Sequence, residues 1–99
     1  MTVRIRFGAR GGRTIAVRGA LTEGKRERLL SRMHALAARD RAPITVDVSE
    51  MSYFDSDSLT MLFGTERIIE RQLGCQVDIC GLEAATWRVT GLTQDLVAS

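Results

Sequence analysis

Between residues 14 and 80, short β-branched runs alternate with two long stretches of helical period, a pattern that points to a layered α/β domain. Ile44-Thr45-Val46-Asp47-Val48 is short and mostly apolar, as suits a central strand covered on at least one face. Ahead of it, Leu29, Leu30, Met33, Leu36 and Ala37 recur at spacings of three and four across Glu23–Arg39. Lys25, Arg26, Arg28, Arg32 and Arg39 fall mainly on the other side, which predicts an amphipathic helix with a basic, solvated outer face. Thr22 is its expected N-cap. A second helix is predicted over Ser56–Leu73, carrying Leu59, Leu62, Phe63, Ile69 and Leu73 inward. Gly74 ends it, being tolerant of the left-handed conformation found there.

The flanking segments complete an order β-β-α-β-α-β-α. Val3, Ile5 and Phe7 alternate with Arg4 and Arg6, and Thr14-Ile15-Ala16-Val17-Arg18 resumes the alternation after a glycine-rich turn at residues 8–12. That is a hairpin. No Gly-Lys-Ser/Thr follows the turn and no helix opens there, which argues against a phosphate cradle. Pro43 punctuates the end of the helical region, and residues 49–53 read as a connecting loop. Residues 76–80 predict a strand with Val77 and Ile79 on one face, and residues 83–90 a shorter helix whose stripe of Leu82, Ala85, Trp87 and Val89 is only partial.

Composition narrows the function classes. With 99 residues, one domain is expected, residues 1–99. No apolar stretch approaches the ~20 residues of a membrane span, and the N-terminus lacks the apolar block of a secretory signal. The expected compartment is the cytoplasm, without membrane insertion. A net charge of +2 from 14 basic and 12 acidic residues is a slight excess, and the few aromatic residues offer little to stack on bases, so direct nucleic-acid binding is not expected. Cys75 and Cys80, five residues apart along an extended run, lie ~16 Å apart, beyond the reach of about 7 Å that a disulfide allows. Two cysteines and the lone His34 do not make a four-ligand metal set, and His34 reads as a surface residue. No cofactor is implied.

The informative segment is Asp55-Ser56-Asp57-Ser58, at the start of the second helix. Aspartate and serine side chains can accept from the unpaired N–H groups of a first turn, and the helix dipole favours negative charge there. Ser56 reads as a cap, with Ser58 one step deeper into the helix. Capping alone explains these residue types. Leu59, Met61, Leu62 and Phe63, however, point in more directions than one core stripe needs, so part of this surface is expected to serve a partner. The carboxylates and hydroxyls have no histidine or lysine base beside them in sequence, so no enzyme activity is expected.

The run from Ile44 to Leu59, Ile-Thr-Val-Asp-Val-Ser-Glu-Met-Ser-Tyr-Phe-Asp-Ser-Asp-Ser-Leu, resembles the signature of STAS domains, the bacterial anti-sigma factor antagonists: a hydrophobic strand ending Asp-hydrophobic-Ser, a five-residue loop, then an Asp-Ser-Ser-Gly-Leu helix start. Val17-Arg18-Gly19-Ala20-Leu21-Thr22 is similar to the family's Gly-x-Leu-Asp segment. Trp87 to Leu92, ending Thr90-Gly91-Leu92, is similar to its Ser-Gly-Leu helix end. The resemblance spans about residues 3–92. It implies an α/β, STAS-type fold with a mixed sheet of about four strands and helices packed mainly on one face.

It also implies a role in transcription regulation. Such an antagonist binds an anti-sigma factor, commonly a serine kinase, and so frees a sigma factor. The kinase phosphorylates the second serine of Asp-Ser-Ser-Gly-Leu, and a PP2C-type phosphatase reverses the phosphorylation switch. Carried over by position, Asp55 and Ser56 match the family's Asp and first Ser, Asp57 stands in the place of the phosphorylated serine, and Ser58 in that of the glycine. Asp57 would then mimic the phosphorylated form in part, or Ser56 or Ser58 would take the phosphate. Asp55, Ser56, Asp57 and Ser58 are thus the expected regulatory region, and Tyr53, Phe54, Leu59, Met61 and Leu62 the expected partner contacts. A second reading is a STAS subunit of a lipid-transport complex that docks to an ABC-type ATPase without any switch. After Leu92 only seven residues remain where the family usually adds a strand and a helix; an edge left open would favour a homodimer or strand addition by a partner.

Overall fold

The structure, a computed structural model, describes residues 1–8 and 12–86. It contains β1 (Thr2–Phe7), β2 (Arg13–Leu21), α1 (Glu23–Arg39), β3 (Ile44–Phe54), α2 (Ser56–Leu73) and β4 (Val77–Cys80). The strands form one mixed sheet in the order β1-β2-β3-β4. β1 and β2 pair antiparallel as the expected hairpin, Ile5 opposite Ile15, while β3 runs parallel to both β2 and β4. Each parallel step is bridged by a helix, because parallel neighbours need a crossover. Residues 82–86 begin a further helical turn, and the expected resemblance at residues 87–92 and the tail lie outside the described residues.

One sheet face carries the core. Ile15, Val17 and Leu21 of β2, Ile44, Val46, Val48 and Met51 of β3, and Val77 of β4 are buried against Leu29, Leu30, Met33, Leu36 and Ala37 of α1. The α1 stripe is the one its periodicity predicts. On α2 the buried residues are Ser58, Leu62, Thr65 and Ile69, with Leu73 packed at the margin. Phe63, expected inward, is 36% exposed. It sits about 100° around the helix from Leu62, and only one of two successive positions can face the sheet.

β3 is longer than expected: residues 49–53 belong to the strand and do not form a loop. Two register shifts against β2 place extra residues in β3, and such bulges break the period-2 pattern. Burial accordingly skips from Val48 to Met51. β2 extends through Leu21 to match, with Gly19 at φ +92 beside the second shift.

Arg13 is 2% exposed. Its Nη1 donates to the Leu36 carbonyl at 2.8 Å and its Nη2 to the Ala42 carbonyl at 2.6 Å, while Asp40 lies 3.1 Å from Nη1. It therefore ties the end of α1 and the following connection to the first residue of β2. Cys75 is buried beside the same Ala42 carbonyl, 3.3 Å from its Sγ, and burial pushes its thiol pKa up. Cys80 is exposed at the end of β4.

Candidate functional site

α2 begins directly where β3 ends, so the far end of a central strand delivers the Asp55-Ser56-Asp57-Ser58 turn to the surface. Asp55 is the N-cap. Its backbone is extended, its side-chain Oδ1 accepts from the Ser58 amide at 2.7 Å, and its carbonyl accepts from the Leu59 amide at 3.2 Å. The cap is thus Asp55 and not Ser56. Hydrogen bonding by Ser58 holds the Asp55 carboxyl below its ordinary pKa, and Arg26 adds to this.

The four residues divide sharply by exposure. Ser56 and Asp57 face solvent, whereas Ser58 is 1% exposed and lies on the inward face of α2. Ser58 is therefore removed as an accessible phosphate acceptor, and Ser56 is the exposed hydroxyl of the turn. Asp57 occupies the first turn, where the aligned peptide dipoles favour a negative charge. Its placement costs the helix nothing.

Arg26 joins the site from α1. Its Nη1 lies 3.4 Å from Ser58 Oγ, to which it donates, and 4.0 Å from Asp55 Oδ1. It is largely buried, in contrast to the solvated outer face expected of it. Sequence reasoning missed this residue because nothing local distinguishes it from Lys25 or Arg28; only the packing of α1 against α2 does. Thr22, the cap expected for α1, makes no side-chain cap bond; its carbonyl accepts from the Lys25 and Arg26 amides at 3.0 and 2.9 Å.

Of the expected partner contacts, Tyr53 is 48% and Met61 37% exposed. Phe54 and Leu59 are partly buried, Phe54 against the core. Leu62 is fully buried and belongs to the core, which corrects its expected place on the surface. Phe63 and Ile68 extend the exposed apolar surface of α2 instead. Among the described residues no group of three His, Cys, Asp or Glu could hold a metal, and no helix is long and apolar enough to cross a membrane. What the turn offers is charge and shape.

A pH dependence follows from the cap. Folding lowers the Asp55 pKa, so its stabilising contribution is present above the ordinary carboxylate range and is lost as pH falls through the depressed folded value. Asn caps as well as Asp. Asp55→Asn is therefore expected to flatten, below about pH 4, the fall of the urea midpoint with acidification. Asp47, whose pKa is lowered by hydrogen bonding from Ser49, keeps part of the slope. Coincident pH profiles for both proteins would contradict this.

Comparison with known proteins places the fold. A search of curated protein sequences finds no significant relative. The structure is similar to an anti-sigma factor antagonist from Mycobacterium paratuberculosis, with TM-score 0.67 and 22% identity over 98% of this chain and 80% of that one. It is also similar to an antisigma-factor antagonist STAS domain from Rhodobacter sphaeroides, with TM-score 0.65 and 24% identity over 88% of this chain and 92% of that one. SpoIIAA, an anti-sigma factor antagonist solved in its unphosphorylated form, aligns with TM-score 0.63 and 13% identity over 94% of this chain and 81% of that one. Residues 6–98 match the family described as Mlab, STAS domain. Those structures share the fold, and a family match running from within β1 almost to the last residue makes this chain a member of the STAS domain family.

Proposed function

We propose that this protein is a cytoplasmic anti-sigma factor antagonist that binds an anti-sigma factor of the serine-kinase type through the start of α2 and so regulates sigma-dependent transcription. The observation that carries the reading is the exposed first turn of α2. Asp55 is held as the cap, Ser56 and Asp57 are presented to solvent, and Tyr53 and Met61 are exposed nearby in sequence. Structural similarity to anti-sigma factor antagonists supports it. The protein works by association and not by catalysis, in keeping with a site of carboxylates and hydroxyls.

Asp57 sets the affinity. A phosphoserine would bring about −1.5 to −2 charges and three acceptor oxygens; the Asp57 carboxylate brings one permanent charge and no added bulk. It thus acts as a partial, kinase-independent mimic that weakens the complex without abolishing it. Asp57→Ala is expected to tighten binding to the kinase-type partner roughly tenfold, or about 1.4 kcal/mol. Asp57→Ser should do the same and regain sensitivity to the kinase, with a PP2C-type phosphatase restoring binding. Isothermal titration of the three proteins checks this; equal affinities would remove Asp57 from the interface. Any phosphate added to the native chain in this turn would sit on Ser56.

A second reading, docking to an ABC-type ATPase of a lipid-transport complex without a switch, is favoured by the carboxylate at position 57 together with the burial of Ser58. Pull-down separates the two, since one partner is a small kinase-like ATPase and the other an ABC-type ATPase.

A further inference from the structure

The sheet face turned away from the helices carries a concentration of arginine that the proposed function does not use. Alternation along the strands puts Thr2, Arg4 and Arg6 of β1 on that face with Thr14, Ala16 and Arg18 of β2. The register sets Arg4 opposite Ala16, Arg6 opposite Thr14 and Thr2 opposite Arg18. Ala16 therefore has a guanidinium-bearing residue beside it, one diagonally across, and one two positions along its own strand. The result is a groove of about 310 Å³ lined by Thr2, Arg4, Arg6, Ala16, Arg18 and Glu50. A methyl group at the centre leaves room where a longer side chain would fill it.

The charges of this groove are unbalanced. Glu50 lies 3.5 Å from Arg18, with both side chains well exposed, so that pair is screened by water. Asp47 owes its lowered pKa first to Ser49 and least to Arg6. Arg4 has no ion pair among the described residues. Arg4 and Arg18 lie diagonally across the ladder, within reach of each other for side chains of this length, and Arg6 follows Arg4 on the same face, so an anion bound between them would offset their mutual repulsion. A single carboxylate is matched by one guanidinium fork, whereas a phosphomonoester has the charge and the oxygens to engage two or three.

We propose that this groove binds a phosphomonoester dianion over Ala16, held by Arg4 and Arg6 with Arg18 at its edge. The phosphoryl group is the recognised chemistry, whether it comes from a small phosphate ester or from a phosphorylated side chain. The site is on the opposite side of the sheet from the α-helices and is independent of the α2 turn.

Amide NMR spectra of the full chain, titrated with inorganic phosphate at constant ionic strength, test it. Saturable shifts confined to residues 2–6 and 14–18 are expected, with a Kd in the millimolar range. Arg4→Gln combined with Arg6→Gln should weaken binding at least tenfold while the remaining spectrum shows the fold intact; Arg39→Gln, on α1, should change nothing. Glycerol phosphate and a phosphoserine peptide as further probes identify the source: equal affinity points to a small ester, tighter peptide binding to a phosphoprotein. Absence of saturation, equal binding by the double variant, or equal shifts around Arg28 and Arg39 would overturn the proposal. None of these outcomes touches the Asp57 titrations.

Discussion

Arg13→Ala is expected to lower the unfolding free energy by about 3–5 kcal/mol, the cost of breaking a buried charge network from one side. The ion pair itself is a minor part, because Asp40 is 53% exposed and water screens it. The weight falls on the two charge-assisted bonds to the Leu36 and Ala42 carbonyls, at 2.8 and 2.6 Å, each worth about 1.5–3 kcal/mol. The Leu36 carbonyl belongs to the last turn of α1, where its one backbone donor is the Asp40 cap amide at a long 3.4 Å. Removal of the guanidinium leaves that end of α1 and the connection to β3 to find water in a space closed by Cys75 and the start of β2. A domain of this size has roughly 5–15 kcal/mol in total, so the loss shows directly in a urea midpoint. Arg13→Lys keeps the charge but loses the fork, and should fall between parent and alanine. A loss below about 1 kcal/mol would mean that water reaches both carbonyls and that the network is dispensable.

Arg13 also marks where reading from sequence runs out. The hairpin, both long helices and their bounds follow from local rules: alternation in Val3-Arg4-Ile5-Arg6-Phe7, the three-four spacing of Leu29, Met33 and Leu36, and Gly74 at φ +64 after α2. The STAS signature placed the Asp55-Ser56-Asp57-Ser58 turn at a helix start, where it is found. What stayed hidden depends on tertiary neighbours. Residues 49–53 lack clean alternation because two bulges absorb extra residues against β2. Ser58 is polar by type, yet α1 covers it and Arg26 meets its hydroxyl. Arg13 and Arg26 look like any surface arginine until the carbonyls, hydroxyl and carboxylates that receive them come from positions 23 to 32 residues away in sequence. Leu62 and Phe63 are equally apolar neighbours, and only the rotation of α2 on the sheet decides which one a partner can touch.

Gly81→Ala is expected to be almost as damaging, at about 3 kcal/mol. Gly81 follows β4 with φ +82, a conformation that costs an alanine about 1–2 kcal/mol. The added Cβ would also lie 2.6 Å from the Ser49 amide nitrogen and 2.8 Å from its Cα. These are backbone atoms of β3 and cannot swing aside; forced shifts of this kind typically cost about 1–3 kcal/mol. The β3–β4 ladder ends at Asp47 opposite Cys80, so Gly81 against Ser49 is the next contact along, and displacing it loosens the short edge strand from its last pair backward. The Ser49 amide is also the group that holds the Asp47 carboxylate, at 3.0 Å. Gly64→Ala is the control, since nothing lies within 4 Å of its added Cβ and the position is mid-helix. It should gain about 0.5–1 kcal/mol. Denaturation of the two variants side by side checks the pair, and a Gly81→Ala protein as stable as its parent would show that β4 can move away from Ser49 freely. Because Tyr53 and the α2 turn lie beyond the bulges of β3, the folded fraction of Gly81→Ala should still bind its partner with the parent's affinity. Impaired binding by that fraction would mean that strain at Ser49 travels the length of β3 to the recognition turn.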